Sequence, residues 1–481
     1  MNKTFAIILT SLLLLTACQN QPNQKAESQK PNIVYILADD LGYGDLSSYG
    51  QIFFSTPNID KLAESGLKFT RHYSGSTVCA PSRSSLLTGQ HTGHTFIRGN
   101  REVQPEGQHP MEAEAYTLAE ALQDAGYVTG AFGKWGLGYP GSVGDPNNQG
   151  FDEFFGYNCQ RLAHHYYPYH LWHNQEKIML EGNEGFKAEQ YGPDVIHEQA
   201  LKFLENNKDK PFFMFYPSLI PHAEMFAPEE YMEKYRGKFE PENSYQGVDS
   251  GENYRLGPYG SQPESRAATA AMINVLDDQV GEIVAKLNEL DIYENTIIMF
   301  TSDNGPHKEG GANPDYFNSS GPLKGYKRDL YEGGIRVPMI AVWKGKIQAG
   351  TETGHPSAFW DVFPTVAEIT GAQTPENMDG ISFLPTLLGK DNQQQHDYLY
   401  WEFHELGGRQ ALQKGDWKLV KYNVLDPEKT TTELYNLSND LGEENNVAEQ
   451  HPEIVEELSE IMKNARTESE VFTFDATGYL Q

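Results

Sequence analysis

Five stretches of this chain are apolar for the length of a strand without alternating: Asn32–Ala38, Tyr127–Phe132, Pro211–Tyr216, Thr296–Thr301 and Met339–Trp343. Unbroken runs of this kind belong to strands buried on both faces. Helical spacing fills the intervals: Thr56–Ala63 with Pro57 in its first turn and Gly66 beyond its end, Leu118–Ala125 stopped by Gly126, Val195–Leu204, a long helix from Ser265 to Leu290, and Phe359–Ile369 stopped by Gly371. Residues 237–263 are rich in Gly, Pro, Ser and Tyr without a period and read as a long insertion loop. From His396 the texture changes to short alternating runs, Tyr398–Phe403, Arg409–Leu412, Trp417–Tyr422 and Glu433–Leu437, before a last helix near Pro452–Ala465. The pattern predicts an α/β domain with a small antiparallel sheet and helix packed on it. The expected divisions are 1–17 for an export signal, 18–30 for a tether, 31–390 for the main domain and 391–481 for a C-terminal subdomain.

Chemistry collects just past the ends of the apolar runs. Asp39 and Asp40 close the first, where open α/β sheets place their ligands, and hard oxygen donors suit Ca²⁺ or Mg²⁺. By themselves they would only cap a turn. Asp303 and Asn304, past the fourth run, are the distant partner a cation site requires. Lys134 sits in a glycine-rich turn after the second run, as a ligand-facing point charge or as a surface lysine. His222 follows the third and reads either as a general acid or as structural. Cys79-Ala80-Pro81-Ser82-Arg83 opens a stretch able to start a helix, which would present the thiol to free N–H groups with an oxyanion-gripping Arg one turn on. The alternative is an idle cysteine in a turn. A segment from Gly150 to Glu184 is crowded with Tyr and His, including His164 and His165. Its histidines lack ligand spacing, so it suits a sugar ring or an aromatic loop packed on the core.

Charge narrows the partners. A formal net charge of -30 over 481 residues excludes nucleic acid, which needs a basic face. It also repels polyanions, so the basic groups that matter must be local to the site. The three cysteines have separate fates. Cys18 ends Leu15-Thr16-Ala17-Cys18 after the apolar run Phe5–Leu15, a segment too short to span a bilayer that is similar to a bacterial lipoprotein signal. Lipidation of Cys18 would anchor an exported protein to the outer membrane, facing periplasm or cell surface, with no other membrane contact. Cys159 has no partner, and no disulfide framework is implied.

The run C-x-P-S-R followed by L-L-T-G resembles the signature of the formylglycine-dependent type I sulfatases, and the other motifs follow in that family's order. The resemblance implies an alkaline-phosphatase-like fold with a large mixed sheet. It implies oxidation of Cys79 to formylglycine (3-oxoalanine) by a maturase, and a divalent cation, usually Ca²⁺ with Mg²⁺ possible, held by Asp39, Asp40, Asp303, Asn304 and modified Cys79. Arg83 would stabilise the formylglycine, Lys134 and Lys324 would bind sulfate, and His222 would protonate the leaving group. The Tyr–His segment and Gly408-Arg409-Gln410-Ala411 look like bacterial enzymes that desulfate carrageenan or ulvan, with His164, His165, His307 and Arg409 as expected substrate contacts. Many relatives read G-K-W-H-L-G where this chain has Gly136, and the candidates for the missing base are His307, one of His91 and His94, or a different solution altogether. The competing readings are a phosphonate or phosphodiester hydrolase on the same fold and a non-catalytic lipoprotein that binds sulfated glycans.

Overall fold

The computed structural model describes residues 30–474. The expected export signal, Cys18 and the tether up to residue 29 lie outside the described residues.

In chain order the strands are β1 Asn32–Ala38, β2 Leu67–Tyr73, β3 Val128–Lys134, β4 Glu153–Tyr157, β5 His170–His173, β6 Glu176–Met179, β7 Phe212–Pro217, β8 Thr296–Ser302, β9 Arg336–Trp343, β10 Thr351–Thr353 and β11 Ser357–Ala358. They form one sheet in spatial order β10-β2-β9-β8-β1-β7-β3-β4-β5-β6, with β11 beside β2. The five apolar runs are its five central strands. β8, β1, β7, β3 and β4 are parallel, whereas β9 pairs antiparallel with both β8 and β2 on one side and β5 pairs antiparallel with both β4 and β6 on the other. The sheet is therefore mixed.

Both faces are covered, and β1 shows why its residues had to be apolar throughout. Val34 and Ile36 pack into a core with Ile196, Ala200 and Phe203 of the helix Gly192–Asn207 and Met272, Leu276 and Val280 of the helix Ser265–Glu289. Ile33, Tyr35 and Leu37 face the other core, with Leu86, Leu118, Leu122 and Phe363. Each buried aliphatic side chain contributes roughly 1.5–3 kcal/mol.

The sheet is wider than the sequence pattern indicated. β2 mixes buried with half-buried positions, and Lys68 and Arg71 break the apolar run that marks a central strand. The Tyr–His segment contains β5 and β6, a short hairpin on the far edge.

The smaller sheet is antiparallel, with β12 Leu399–Phe403, β13 Arg409–Lys414, β14 Trp417–Tyr422 and β15 Thr431–Asn436 in sequential order. One face, carrying Trp401, Ala411, Val420 and Tyr435, packs on Tyr73, Val78, Leu330 and Trp360 of the main domain. The other, with Tyr400, Leu412, Leu419 and Leu434, is covered by Leu458 and Met462 of the helix Pro452–Asn464.

Candidate active site

Because β8, β1, β7 and β3 are parallel neighbours, their carboxyl ends lie along one edge of the sheet. Ala38 pairs with Ser302, so the residues that follow each strand become adjacent. Asp40 N donates to Asp303 Oδ1 at 3.1 Å, and Asn304 Nδ2 donates to Asp40 Oδ1 at 2.6 Å. Asp40 holds φ +65°, a left-handed conformation of the kind retained where neighbouring structure over-determines it.

The helix Cys79–Thr88 points its first turn at this edge, with Val78 as an extended N-cap. Cys79 Sγ lies 3.3 Å from Asp39 Oδ1 and 3.4 Å from Lys134 Nζ. Lys134, the last residue of β3, also donates to Asp39 Oδ2 at 2.7 Å. Arg83, one turn along the helix, donates to Asp303 Oδ2 through Nη2 at 2.8 Å and Nε at 3.1 Å, lies 3.5 Å from Asp39, and donates to the Lys134 carbonyl. Its guanidinium is buried, which is tolerable only because carboxylates and a carbonyl surround it. His222, beyond β7, lies with Nε2 3.6 Å from Asp40 Oδ2, while its Nδ1 bonds the Ala223 carbonyl. A carbonyl only accepts, so Nδ1 carries the proton and Nε2 is the atom left for chemistry.

The electrostatics split the three carboxylates. Burial alone would raise Asp39, but the charges of Lys134, Arg83 and Lys327 outweigh it and bring it down to about 2. Asp40 is also lowered, burial again being overcome, here by Lys327 and His222. Asp303 goes the other way, pushed up to about 7 by burial and by Asp39, against Arg83. Burial and Asp39 raise the Cys79 thiol, so an unmodified thiol here is a poor nucleophile. Burial, Lys134 and Lys327 lower His222.

The donor set fits a hard divalent cation. Ligand atoms of Asp39, Asp40, Cys79 and Asp303 lie within 4.8 Å of one another. Asn304 Oδ1 is buried beside them without a hydrogen-bond partner, an acceptor left open for a guest.

The structure corrects several residue assignments. Lys324 does not enter the site: its ammonium donates to the Glu443 carbonyl at 2.9 Å and Tyr435 Oη at 3.3 Å, and lies over the Tyr331 ring. Lys327 takes its place, donating to Asp40 Oδ2 at 2.8 Å and Glu309 Oε2 at 3.4 Å. Burial opposes its charge, but Asp40 and Glu309 hold its pKa well above the usual lysine value. The signal that separates the two lysines is Asp329, whose carboxylate accepts from Tyr326 N at 3.1 Å and closes a turn, with Lys327 inside it and Lys324 outside. Glu309 was also missed; besides Lys327 it pairs with Arg328.

His164 reaches the site wall, its ring stacked at 5.5 Å on that of His222 and near Tyr259. His165 turns inward, accepting from Gly257 N at 2.8 Å beside Glu224. His307 stacks on His222, but Nε2 bonds the Pro221 carbonyl at 3.0 Å and Nδ1 accepts from Glu309 N at 3.2 Å, so neither nitrogen is left to act as a base. His91 and His94 stack on each other beside Asp379, with Trp360 and Tyr400 against His91. Arg409 donates to the Arg328 carbonyl and to Asp329 Oδ1 at 2.9 Å, holding the protein's own turn rather than substrate. Gly136 has φ +80°, a left-handed backbone that disfavours a histidine, and Gln160 Nε2, 2.4 Å from where its Cβ would stand, would have to swing aside.

A protein-family profile described as Sulfatase matches residues 31–372, and one described as N-sulphoglucosamine sulphohydrolase, C-terminal, matches residues 325–468. The chain is 32% identical to an N-acetylgalactosamine-6-O-sulfatase of Bacteroides thetaiotaomicron, over 96% of this chain and 98% of that protein. It superposes on the crystal structure of Ps i-CgsB in complex with k-i-k-neocarrahexaose with a TM-score of 0.76 and 28% identity, covering 93% of this chain and 96% of that one. The phosphonate monoester hydrolase of Agrobacterium radiobacter shares the fold alone, with a TM-score of 0.65 at 21% identity over 91% of this chain and 95% of that one.

Proposed function

The chain belongs to the sulfatase family and hydrolyses sulfate esters of carbohydrates, and from that premise we propose that it desulfates oligosaccharides of a marine algal polysaccharide of carrageenan or ulvan type, using formylglycine at position 79 and a Ca²⁺ ion. One observation carries the reading: Cys79 heads a buried helix inside a converging set of carboxylate oxygens, flanked by Lys134 and Arg83. A neighbour holding a carrageenan oligosaccharide supports the algal class.

As a hydrate, formylglycine offers one hydroxyl to attack sulfur and a second whose loss of a proton expels sulfate and restores the aldehyde. A cation held by Asp39, Asp40, Asp303 and Asn304 would offset negative charge there. The chain's own residues do the rest. Arg83 fixes Asp303 and the Lys134 carbonyl, so nucleophile helix and strand tips move as one body. Lys134, bonded to Asp39, and Lys327, bonded to Asp40, face the charge of the transferring group. His222 exchanges its proton at Nε2, and an anionic ester brought in front of it favours the protonated ring that the leaving oxygen needs. An export signal ending in a lipidated Cys18 would, in this reading, hold the enzyme on an anchor at the outer membrane.

The test is sulfate release, followed by ion chromatography, from carrageenan, ulvan, fucoidan and glycosaminoglycan oligosaccharides, using protein co-expressed with a formylglycine-generating enzyme and checked by peptide mass at residue 79. Release from carrageenan or ulvan is expected. Release only from a glycosaminoglycan overturns the algal assignment. Faster turnover of a phosphonate or phosphodiester replaces the reaction, and binding without release makes the protein a glycan receptor.

A further inference from the structure

We propose that the C-terminal sheet positions Lys327, with Arg409 as the positioning residue; this rests on Lys327 serving the reaction proposed above. Lys327 reaches Asp40 from a segment, residues 324–331, that belongs to no strand or helix. A lysine side chain on such a segment has many conformers, and placing its ammonium within hydrogen-bond reach of a transferring group requires that the backbone beneath it be fixed.

The main domain supplies part of the fixing. Lys327 N donates to the Pro306 carbonyl at 2.9 Å and Arg328 N to the Thr77 carbonyl at 3.0 Å. Thr77 Oγ1 donates to the Asp329 carbonyl at 2.7 Å, two residues before the nucleophile.

The smaller sheet grips the same segment along its length. At one end Lys324 bonds the Glu443 carbonyl and Tyr435 Oη. At the other, Leu330 N donates to Tyr422 Oη at 3.3 Å, Tyr331 Oη to Glu433 Oε2 at 2.6 Å, and Glu332 N to Glu443 Oε2 at 2.6 Å. Between them lies Arg409. Its pairing with Tyr422 across β13 and β14 puts the guanidinium 4.6 Å over that ring, and it donates to the Arg328 carbonyl and Asp329 Oδ1. Arg328 holds φ +79°, a conformation that residues with a Cβ seldom adopt, and Arg409 binds the carbonyl of that residue. Val78 and Leu330 share the hydrophobic layer under the sheet with Trp401 and Tyr435, so the sheet backs both the nucleophile's N-cap and the Lys327 turn.

Four variants, Arg409→Ala, Arg409→Lys, Lys327→Ala and the double change Arg409→Ala with Lys327→Ala, test this with the oligosaccharide cleaved fastest in the release assay. Arg409→Ala is expected to lower kcat about tenfold with KM within about threefold, and Arg409→Lys to recover part of the loss. The same change added to Lys327→Ala is expected to cost less than about twofold more, because the group being positioned is gone. Equal losses in both backgrounds, or a change in KM alone, overturn the proposal.

Hydrogen–deuterium exchange gives a readout independent of turnover. Residues 324–332 are expected to exchange faster in Arg409→Ala and at the wild-type rate in Lys327→Ala. Unchanged exchange in Arg409→Ala overturns the clamp whatever the enzyme cleaves. Faster exchange in a protein that releases no sulfate keeps the clamp and places the failure in the functional reading.

Discussion

Two regions of this molecule bury clusters of opposite charge, and they handle the cost differently. In the joint between the sheets, signs alternate: Glu332 lies between Lys418 at 2.8 Å, Arg336 at 3.2 Å and Tyr73 Oη at 2.9 Å, and Lys418 reaches on to Glu443 at 3.0 Å. At the strand tips, oxygens of Asp39, Asp40 and Asp303 converge with Cys79 on one point, and Asn304 Oδ1 is left without a partner; a raised carboxyl is common to both regions, Asp303 here and Glu443 in the joint each standing at about 7. Burying charge is expensive in either place. The joint meets that cost by pairing within the fold; the strand tips pair their carboxylates with Arg83, Lys134 and Lys327 but also hold those carboxylates together, and so favour a cationic guest among them. Buried ionic density alone therefore does not mark a site; convergence of like charges does.

The sharpest break of this comparison is a pair of single changes. Cys79→Ala is expected to remove more than about 10³-fold of turnover while shifting Tm by less than about 2 °C, since a small buried side chain is lost from a position that carries chemistry. Glu332→Gln should do the reverse, leaving Lys418 short of a counter-charge and costing about 3–5 kcal/mol of stability. Sulfate release and thermal melts on both proteins decide it. Full turnover by Cys79→Ala removes the nucleophile assignment.

A second pair separates the two lysines. Lys327→Ala is expected to lower kcat/KM by about 10²–10³-fold, the usual cost of losing a preorganised charge at a reacting group, and Lys324→Ala by no more than about tenfold through the loosened turn. The opposite ranking would return Lys324 to the site against its contacts with Glu443 and Tyr435.

Cation binding distinguishes the regions by stability alone. Ca²⁺ at about 100 times its Kd is expected to add about 2.7 kcal/mol, read as a rise in Tm reversed by chelator. Asn304→Ala should blunt that rise and Glu443→Gln should leave it intact. A rise that survives Asn304→Ala and Asp303→Asn together would place the cation elsewhere.

How much of this the chain disclosed follows from the same contrast. The central strands are legible because strands buried on both faces are apolar throughout, and Asp39, Asp40, Asp303 and Asn304 because each directly follows such a strand. Cys79, Arg83 and Lys134 are legible as one short motif and one strand end. The rest depends on contacts made far along the chain. Whether Lys324 or Lys327 enters the site is set by Asp329 and by a sheet more than 70 residues later, and Arg409 reads as a substrate contact until Asp329 and Tyr422 are beside it. Likewise, nothing local says that Gln160 fills the space over Gly136.

The smallest expected effect is a pH slope that should differ between the regions. Burial raises Glu443 to about 7, with Lys418 opposing and Glu332 reinforcing, whereas an unfolded glutamate titrates near about 4.3. Between those values the folded protein holds a proton that the unfolded chain has released, so stability falls as pH rises from about 4.3 through about 7 and levels off above. Asp303 carries a slope of the same sign, but a cation bound beside it favours the ionised carboxylate and flattens that contribution. Burial also raises Asp45 to about 7 and Asp194 and Asp277 to about 6 each, adding slopes of the same sign. The joint's share is therefore read as the difference between two proteins melted from pH 5 to 8 in saturating Ca²⁺: a fall of a few °C in the wild type, and a flatter profile in Glu443→Gln. Equal slopes in the two proteins would mean that Glu443 is ionised throughout, and that the joint, like the strand tips once filled, carries its full complement of charge.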